Sequence, residues 1–307
     1  MSILVFGSVN VDIAVYAPRL PQPGETLHAQ RYAIGLGGKG ANQAAAAARL
    51  GTPTIFIGRT GRDEMGAQAR GLLGGYGLDL AGVAEDDQAG TGIAQIIVGA
   101  ADGQNIIALV AGANMRLGRA DVERAAARLA DTRVLLLQLE TPLAASLDLA
   151  ARARAAGITV ILDPAPAPEG GLDPAVLQAI DIITPNETET AALLGRRPAT
   201  AEDAVAAARE LVARGCRMAI VKLGGNGVAF YAGDGREGFV PAFPVTVVDT
   251  VAAGDCFNGG LATALARGDT LPDAVRFAAA CGAIAVTRPG AAAAAPTLAE
   301  AEALLRR

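Results

Sequence analysis

The chain has 307 residues, 51% hydrophobic and 19% charged, which suffices for one large core and excludes a disordered chain. A net charge of −5 and a pI near 5.1 exclude nucleic acid and anionic membranes as partners, while leaving room for a locally positive pocket that takes an anionic substrate. No apolar run reaches the length of a membrane span, so the expectation is a single α/β domain over 1–307 with at most a small appendage.

The first residues, "MSILVFGSVNVD", lack a basic segment and meet Asn10 and Asp12 too early for a secretory signal. They predict a buried strand over 3–9. Residues 12–36 carry Pro18, Pro21, Pro23 and Gly24 and read as extended chain outside the core. A helix over 39–50, a strand over 54–58 and a helix over 64–74 follow. "TGIAQIIVG" and "QNIIALV", around "AADG" in 91–110, form a hairpin-like pair. With 12–36 they make a small β lid that is discontinuous in sequence. Strands over 134–139, 159–163, 181–184 and 218–223 then alternate with helices over 119–130, 142–156 and 201–214, and 252–288 reads as two consecutive helices. Buried strands alternating with helices imply a mainly parallel sheet covered on both faces.

Cys216, Cys256 and Cys281 are too few and too scattered for a disulfide framework or a zinc site, and read as buried reduced thiols suited to the cytoplasm. His28 is the only histidine, so carboxylates, lysine and backbone amides must carry any catalysis.

"GLGGKGANQAAAAARLG" contains a formal G-x-G-x-x-G at Gly35, Gly37 and Gly40. A dinucleotide site would need a strand directly before it and an acidic residue about twenty positions on, where Arg59 stands instead. A P-loop would need Ser or Thr after Lys39. What remains is a glycine turn feeding a helix, with Lys39 and Asn42 one turn apart and able to hydrogen-bond hydroxyls. Asn10 and Asp12 end the first strand in this reading, where polar residues face a crevice or simply form a turn. Asp12 can accept from vicinal hydroxyls. Glu140 follows an apolar run similarly. "DIITPNETE" sets Asn186, Glu187 and Glu189 after a strand, as a helix N-terminus would, and "VKLGGNGV" reads equally as a hairpin.

In "VVDTVAAGDCFNGG" a helix beginning near Gly254 would aim the amides of Ala253, Gly254 and Asp255, with the positive end of its dipole, at a bound anion. Such an anion hole suits a transferring phosphoryl group, and Asp255 beside it could take a proton from an attacking hydroxyl. A helix-capping role for Asp255 would predict Glu or Gln three residues on, where Asn258 stands. The helix field should hold this carboxyl low, making it a weak base that accepts its proton late.

These segments, with "GSVNVD", "PGET", "AGAN", "QLE", "PAPA" and "AVTRPGA" in the same order, resemble the ribokinase (PfkB) family of carbohydrate kinases over essentially the whole chain. The resemblance implies a ribokinase-like three-layer α/β/α sandwich with a small β-sheet lid, and ATP-dependent phosphorylation of D-ribose on its 5-hydroxyl. It implies that Asn10, Asp12, Gly38, Lys39, Gly40, Ala41, Asn42 and Glu140 hold the sugar, with Leu109 as an apolar wall. Asp255 would be the base, and Ala253 with Gly254 would complete the anion hole. Asn186 and the turn Lys222, Leu223, Gly224, Gly225, Asn226 and Gly227 would contact ATP, and Glu189 would place Mg²⁺ through water. A monovalent cation, usually potassium, would sit near Asp249, Val251, Ala285, Arg288, Gly290 and Ala294, and a homodimer would form through the lids. Four departures qualify this pattern. Lys222 and Cys256 each stand where threonine is common, Ala279 replaces a side chain near the adenine, and Ala294 replaces a serine that supports the cation. Alternatives are a kinase for another pentose such as deoxyribose, or a non-catalytic sugar-binding protein, against which the acid and anion hole argue.

Overall fold

The structure, a computed structural model, describes residues 2–99, 104–168 and 170–306. Its strands are β1 (Ser2–Phe6), β2 (Asn10–Ala17), β3 (Arg31–Gly37), β4 (Thr54–Gly61), β5 (Asp79–Asp86), β6 (Gly92–Gly99), β7 (Asn105–Val110), β8 (Thr132–Leu137), β9 (Thr159–Leu162), β10 (Ile182–Ile183), β11 (Met218–Lys222), β12 (Val228–Ala232) and β13 (Glu237–Val240). Its helices are α1 (Lys39–Arg49), α2 (Glu64–Gly74), α3 (Arg119–Ala126), α4 (Leu143–Ala155), α5 (Pro174–Gln178), α6 (Glu187–Leu194), α7 (Ala201–Ala213), α8 (Ala253–Arg267), α9 (Leu271–Ala285) and α10 (Leu298–Leu305).

Nine strands form one sheet in the order β13-β12-β11-β10-β9-β8-β1-β4-β5, parallel from β11 to β5, with β12 and β13 antiparallel at one edge. Alternate residues of its central strands feed two separate cores. Ile3, Val5, Val134, Leu136 and Ile161 pack with α1, α8 and α9, while Leu4, Phe6, Leu135, Leu137 and Leu162 pack with α3, α4 and α7. The result is the three-layer α/β/α sandwich. No helix of the described residues is long and apolar enough to cross a membrane.

A second, four-stranded sheet in the order β3-β2-β6-β7 is separate from the large one, and its Val11 and Leu36 pack into the core shared with α1, α8 and α9. The "AADG" connection between β6 and β7 lies outside the described residues.

Three expectations shift. The first strand ends at Phe6, so Asn10 and Asp12 do not end it; they open β2 of the second sheet, because Gly7 and Ser8 break the run. The expected helix over 119–130 stops at Ala126. β5 was not anticipated: at the sheet edge its faces are only partly buried, so its apolar pattern is weak.

Within the large sheet, β1 has β4 on one side and β8 on the other. Strand order therefore reverses beside β1, and such a switch point opens a crevice at the carboxyl ends of the strands.

Candidate functional site

The crevice is floored by the residues that follow β1 and β8. Glu140 Oε2 accepts from Ser8 Oγ at 2.5 Å and from the Lys39 N–H at 3.0 Å, which ties the two strand ends to the start of α1. Gly38 precedes that helix with φ 86°, a left-handed conformation that favours glycine. Gly40 lies so close to the first strand that a Cβ there would sit 2.7 Å from the Gly7 carbonyl carbon. Ala41 and Asn42 are buried on the same turn. The formal G-x-G-x-x-G is split, with Gly35 and Gly37 in β3 and Gly40 in α1, which is no dinucleotide loop.

One face of the small sheet overlooks this floor. Asp12 is paired with Gly35 on β3 and with Ala94 on β6, and Ala94 is paired with Leu109 on β7, so these residues form one row. Leu109 is 51% exposed at its end. A Cβ on Gly37 would lie 1.8 Å from Asp12 Oδ1, so only glycine leaves room for the carboxylate. Burial, followed by the nearby Glu140 and Asp255 carboxylates, pushes the Asp12 carboxyl up to about 6.

Helix α8 points its N-terminus into the same crevice. Its N-cap is Ala252, the one non-glycine residue with positive φ (57°) among the described residues, and no side chain caps the helix. Asp255 is therefore not a cap. The Ala253 N–H is turned toward Thr250 O at 3.4 Å, which leaves the N–H groups of Gly254 and Asp255, rather than all three, without a partner among the described residues. The Asp255 carboxylate, 5% exposed, accepts from Asn42 Nδ2 at 3.0 Å and Gln43 Nε2 at 3.1 Å. Burial pushes its carboxyl up to about 6, against the pull of Lys39 and the two amides, with Asp163 adding to the rise. The expected lowering by the helix field is thus overturned, because desolvation outweighs it. Among the described residues, Asn42 Oδ1 is buried with no hydrogen-bond partner.

Three residues of this cluster escaped the sequence reading. Gln43, fully buried, donates Nε2 to both Asp255 Oδ1 and Asp163 Oδ2 and accepts from Gln138 Nε2 at 2.7 Å. Asp163, just past β9, is 2% exposed and pairs with Lys222 Nζ at 3.3 Å. A carboxylate directly after the apolar "TVIL" was its available signal; Gln43 and Gln138 gave none. Burial opposes the charge on Lys39, yet the carboxylates of Asp255, Asp163, Glu140 and Glu189 outweigh it and hold its ammonium above the usual range.

A cavity of about 510 Å³ is lined by Lys39, Ala165, Pro166, Asn186, Glu189 and Ala192, among others. Asn186 and Glu189 make a complete capping box for α6: Asn186 Oδ1 accepts from Glu189 N, and Glu189 Oε2 accepts from Asn186 N. Burial raises the Glu189 carboxyl, offset in part by Lys222. Asn186 bridges Lys222 across the strand ends. The chain then turns through Leu223, Gly224, Gly225 and Asn226 to Gly227, a hairpin from β11 to β12. Lys222 Nζ lies 3.5 Å from where a Cβ on Gly254 would stand, so this lysine reaches the free amides of α8.

Behind α8, Asp249 accepts from the N–H groups of Val251 at 3.0 Å and Gly290 at 3.1 Å and draws those segments together. Ala285 ends α9, and the Arg288 guanidinium leaves toward Glu300. Ala285 and Ala294 pack with Cys256 in a small apolar cluster, which accommodates both departures from the pattern.

The site thus sets a buried carboxylate next to two amides at a helix N-terminus that are free among the described residues, in a crevice ringed by polar side chains. The chain belongs to the pfkB family of carbohydrate kinases, whose family model matches residues 1–298. It is 42% identical over 297 residues to the ribokinase of Haemophilus influenzae, covering 96% of this chain and 95% of that protein. It is 37% identical over 290 residues to the deoxyribokinase of Salmonella typhimurium, covering 94% of each. Among solved structures, that of Arabidopsis thaliana ribokinase complexed with ribose and ATP superposes with a TM-score of 0.89 at 36% identity, covering 100% of this chain and 99% of that one.

Proposed function

We propose that the chain transfers the γ-phosphoryl group of ATP to the 5-hydroxyl of D-ribose. The observation that carries this reading is the buried carboxylate of Asp255, whose own N–H and that of Gly254 are free at the start of α8. The ribokinase relatives and the ribose–ATP complex of a close structural neighbour support the choice of substrates.

In this reading the sugar lies between the small sheet and α1. Asp12 accepts from its hydroxyls, Asn10 and Lys39 donate, and the orphan Oδ1 of Asn42 takes a further hydroxyl proton. Glu140 holds the Lys39 backbone in register, the close approaches at Gly38, Gly40 and Ala41 admit the ring, and Leu109 screens it from water. Asp255 takes the O5 proton as the O5–P bond forms and the bond to the departing β-phosphate oxygen breaks, releasing ADP. The amides of Gly254 and Asp255, with the helix dipole, neutralise charge on the migrating group, and Ala253 shapes the turn that exposes them.

Asn186 lines the cavity that suits the nucleotide, and its bridge to Lys222 brings in the turn Lys222–Gly227 as a further nucleotide contact. Glu189, with Asp163 nearby, offers the hard oxygen donors that suit Mg²⁺ through water. Bound there, Mg²⁺ would neutralise charge on the phosphates. The Asp249 carboxylate with the backbone at Val251, Ala285, Arg288 and Gly290 suits a large monovalent ion such as potassium, although Ala294 adds no side-chain donor. The outer face of the small sheet exposes Tyr32 (72%), Ile34, Ile106 and Val110, which favours a homodimer through the two lids, with 12–36 and 91–110 acting as one subdomain. Three buried thiols that form no disulfide suit the cytoplasm.

The test is ADP release with each of several pentoses and hexoses, with and without potassium. Ribose-dependent release with 2-deoxyribose a poorer substrate supports the reading, and no ribose-dependent release refutes it. Preference for 2-deoxyribose selects the deoxyribokinase alternative, and indifference to potassium removes the cation assignment. A sedimenting monomer at micromolar concentration contradicts the dimer.

A further inference from the structure

We propose that Asn114 is a positioning residue that fixes the amide of Asn10 as a hydrogen-bond donor toward the sugar, an inference that rests on reading Asn10 as a sugar contact. Asn114 belongs to the "AGAN" segment, in a short 3-10 turn over Gly112–Arg116, and is 1% exposed. Its Oδ1 accepts from the Val9 N–H at 2.9 Å, while its Nδ2 donates to Val9 O at 3.0 Å and to Asn10 Oδ1 at 2.7 Å.

These bonds leave no freedom of assignment. A backbone N–H can only donate, so the oxygen of Asn114 must face Val9 N and its NH₂ must face Val9 O and Asn10. Asn10 therefore turns its oxygen to Asn114. Its own NH₂ is directed away from that contact and has no partner among the described residues. Asn10 and Asp12 are two residues apart on β2 and share a face, so a forced donor stands beside an acceptor-only carboxylate. That pairing matches a sugar, where one hydroxyl accepts while its neighbour donates.

The frame around the contact is tight. A Cβ on Gly92 would lie 2.0 Å from Asn10 Oδ1 and 2.5 Å from Asn114 Nδ2. The turn itself is tied down by Ala113 N to Gly90 O at 2.8 Å and by Arg116 Nε to Asp86 Oδ2 at 2.8 Å, with Arg59 on the same carboxylate. Asn114 thus acts from behind the site, holding the Val9 backbone and, through one side-chain bond, Asn10.

Asn114→Asp is the discriminating variant. It keeps the shape and the acceptor for Val9 N–H, but its second oxygen cannot donate to Asn10 or to Val9 O and repels both oxygens, and the Asn10→Ala background separates the Asn10 part. The Asn10 amide should then turn, presenting an acceptor to the sugar. Steady-state kinetics of the full chain should show a ribose KM raised about tenfold or more, with the ATP KM within about twofold. In an Asn10→Ala background the same substitution should add no more than about twofold. Asn114→Ser, which shortens the side chain away from Asn10 and adds no charge, is read the same way if Asn114→Asp does not fold. An unchanged ribose KM, or an equal rise in both backgrounds, overturns the positioning role. An Asn10→Ala variant with unchanged ribose KM overturns the sugar-contact reading, and the proposal with it.

Discussion

The carboxylates of Asp163 and Asp255 are bridged by a single side-chain amide: Gln43 Nε2 lies 2.9 Å from one and 3.1 Å from the other. Lys222 holds the outer oxygen of Asp163 and Asn42 the second oxygen of Asp255, so the two acids are restrained as a unit. A neutral amide thus donates to both carboxylates without adding a charge beside them.

Gln43→Leu should therefore leave less of the Asp255 carboxyl deprotonated at neutral pH without touching substrate. With the shared donor gone, the two carboxylates repel more strongly and Asp255 is pushed further up. The expected result is a fall in kcat at neutral pH of about tenfold to a hundredfold, with the acid limb of the pH profile moved upward. A profile superposable on that of the parent contradicts the bridge.

The pH dependence follows from the position of the base. As the proposed base, Asp255 would have to be deprotonated to act, and burial pushes it up to about 6, so kcat/KM should fall as pH drops through about 6. Asp12, raised to the same range, should steepen the limb beyond a single proton. A profile from about pH 4.5 to 8 checks this; a limb centred near the ordinary carboxylate range of about 4 contradicts it.

Asp12 also bears on stability. Its folded-state pKa is raised, so its contribution favours the fold below the unfolded value and is lost as pH rises through about 6. At neutral pH its charge is a burden, and Asp12→Asn should stabilise the ligand-free chain by about 1–2 kcal/mol while weakening sugar binding. Denaturant unfolding at pH 7.5 and at pH 4 measures this; the gain should shrink at the lower pH, and destabilisation at pH 7.5 contradicts it.

Lys222 pairs with an almost fully buried Asp163 and is itself largely buried. Lys222→Met should cost about 3 kcal/mol by leaving that carboxylate uncompensated, and should raise the ATP KM because the cation beside Gly254 is gone. Adding Asp163→Asn should recover most of the stability and none of the ATP affinity. Recovery of both would show that Lys222 has no part in phosphate binding.

Much of the fold was legible because the central strands are buried on both faces and read as unbroken apolar runs; "VLLLQL" is the clearest case. β5 was not, since an edge strand lacks that pattern. In the site, Asp255, Lys39, Asn42 and Glu140 were visible from their motifs. The connections were hidden: Gln43 reaches Asp163 across 120 positions and Asp255 across 212, and Asn114 reaches Asn10 across 104, and no local pattern encodes such pairs. The direction of the Asp255 shift was misjudged for the same reason, because its burial is a property of the packed crevice.

The central claim is that Asp255 is the base of a ribose-phosphorylating site. The most direct test compares Asp255→Ala with the parent chain for ribose-dependent ADP release and, separately, for ribose binding by calorimetry. The account predicts a loss of kcat of about 10²–10⁴-fold with ribose affinity largely retained. Turnover close to that of the parent would contradict it.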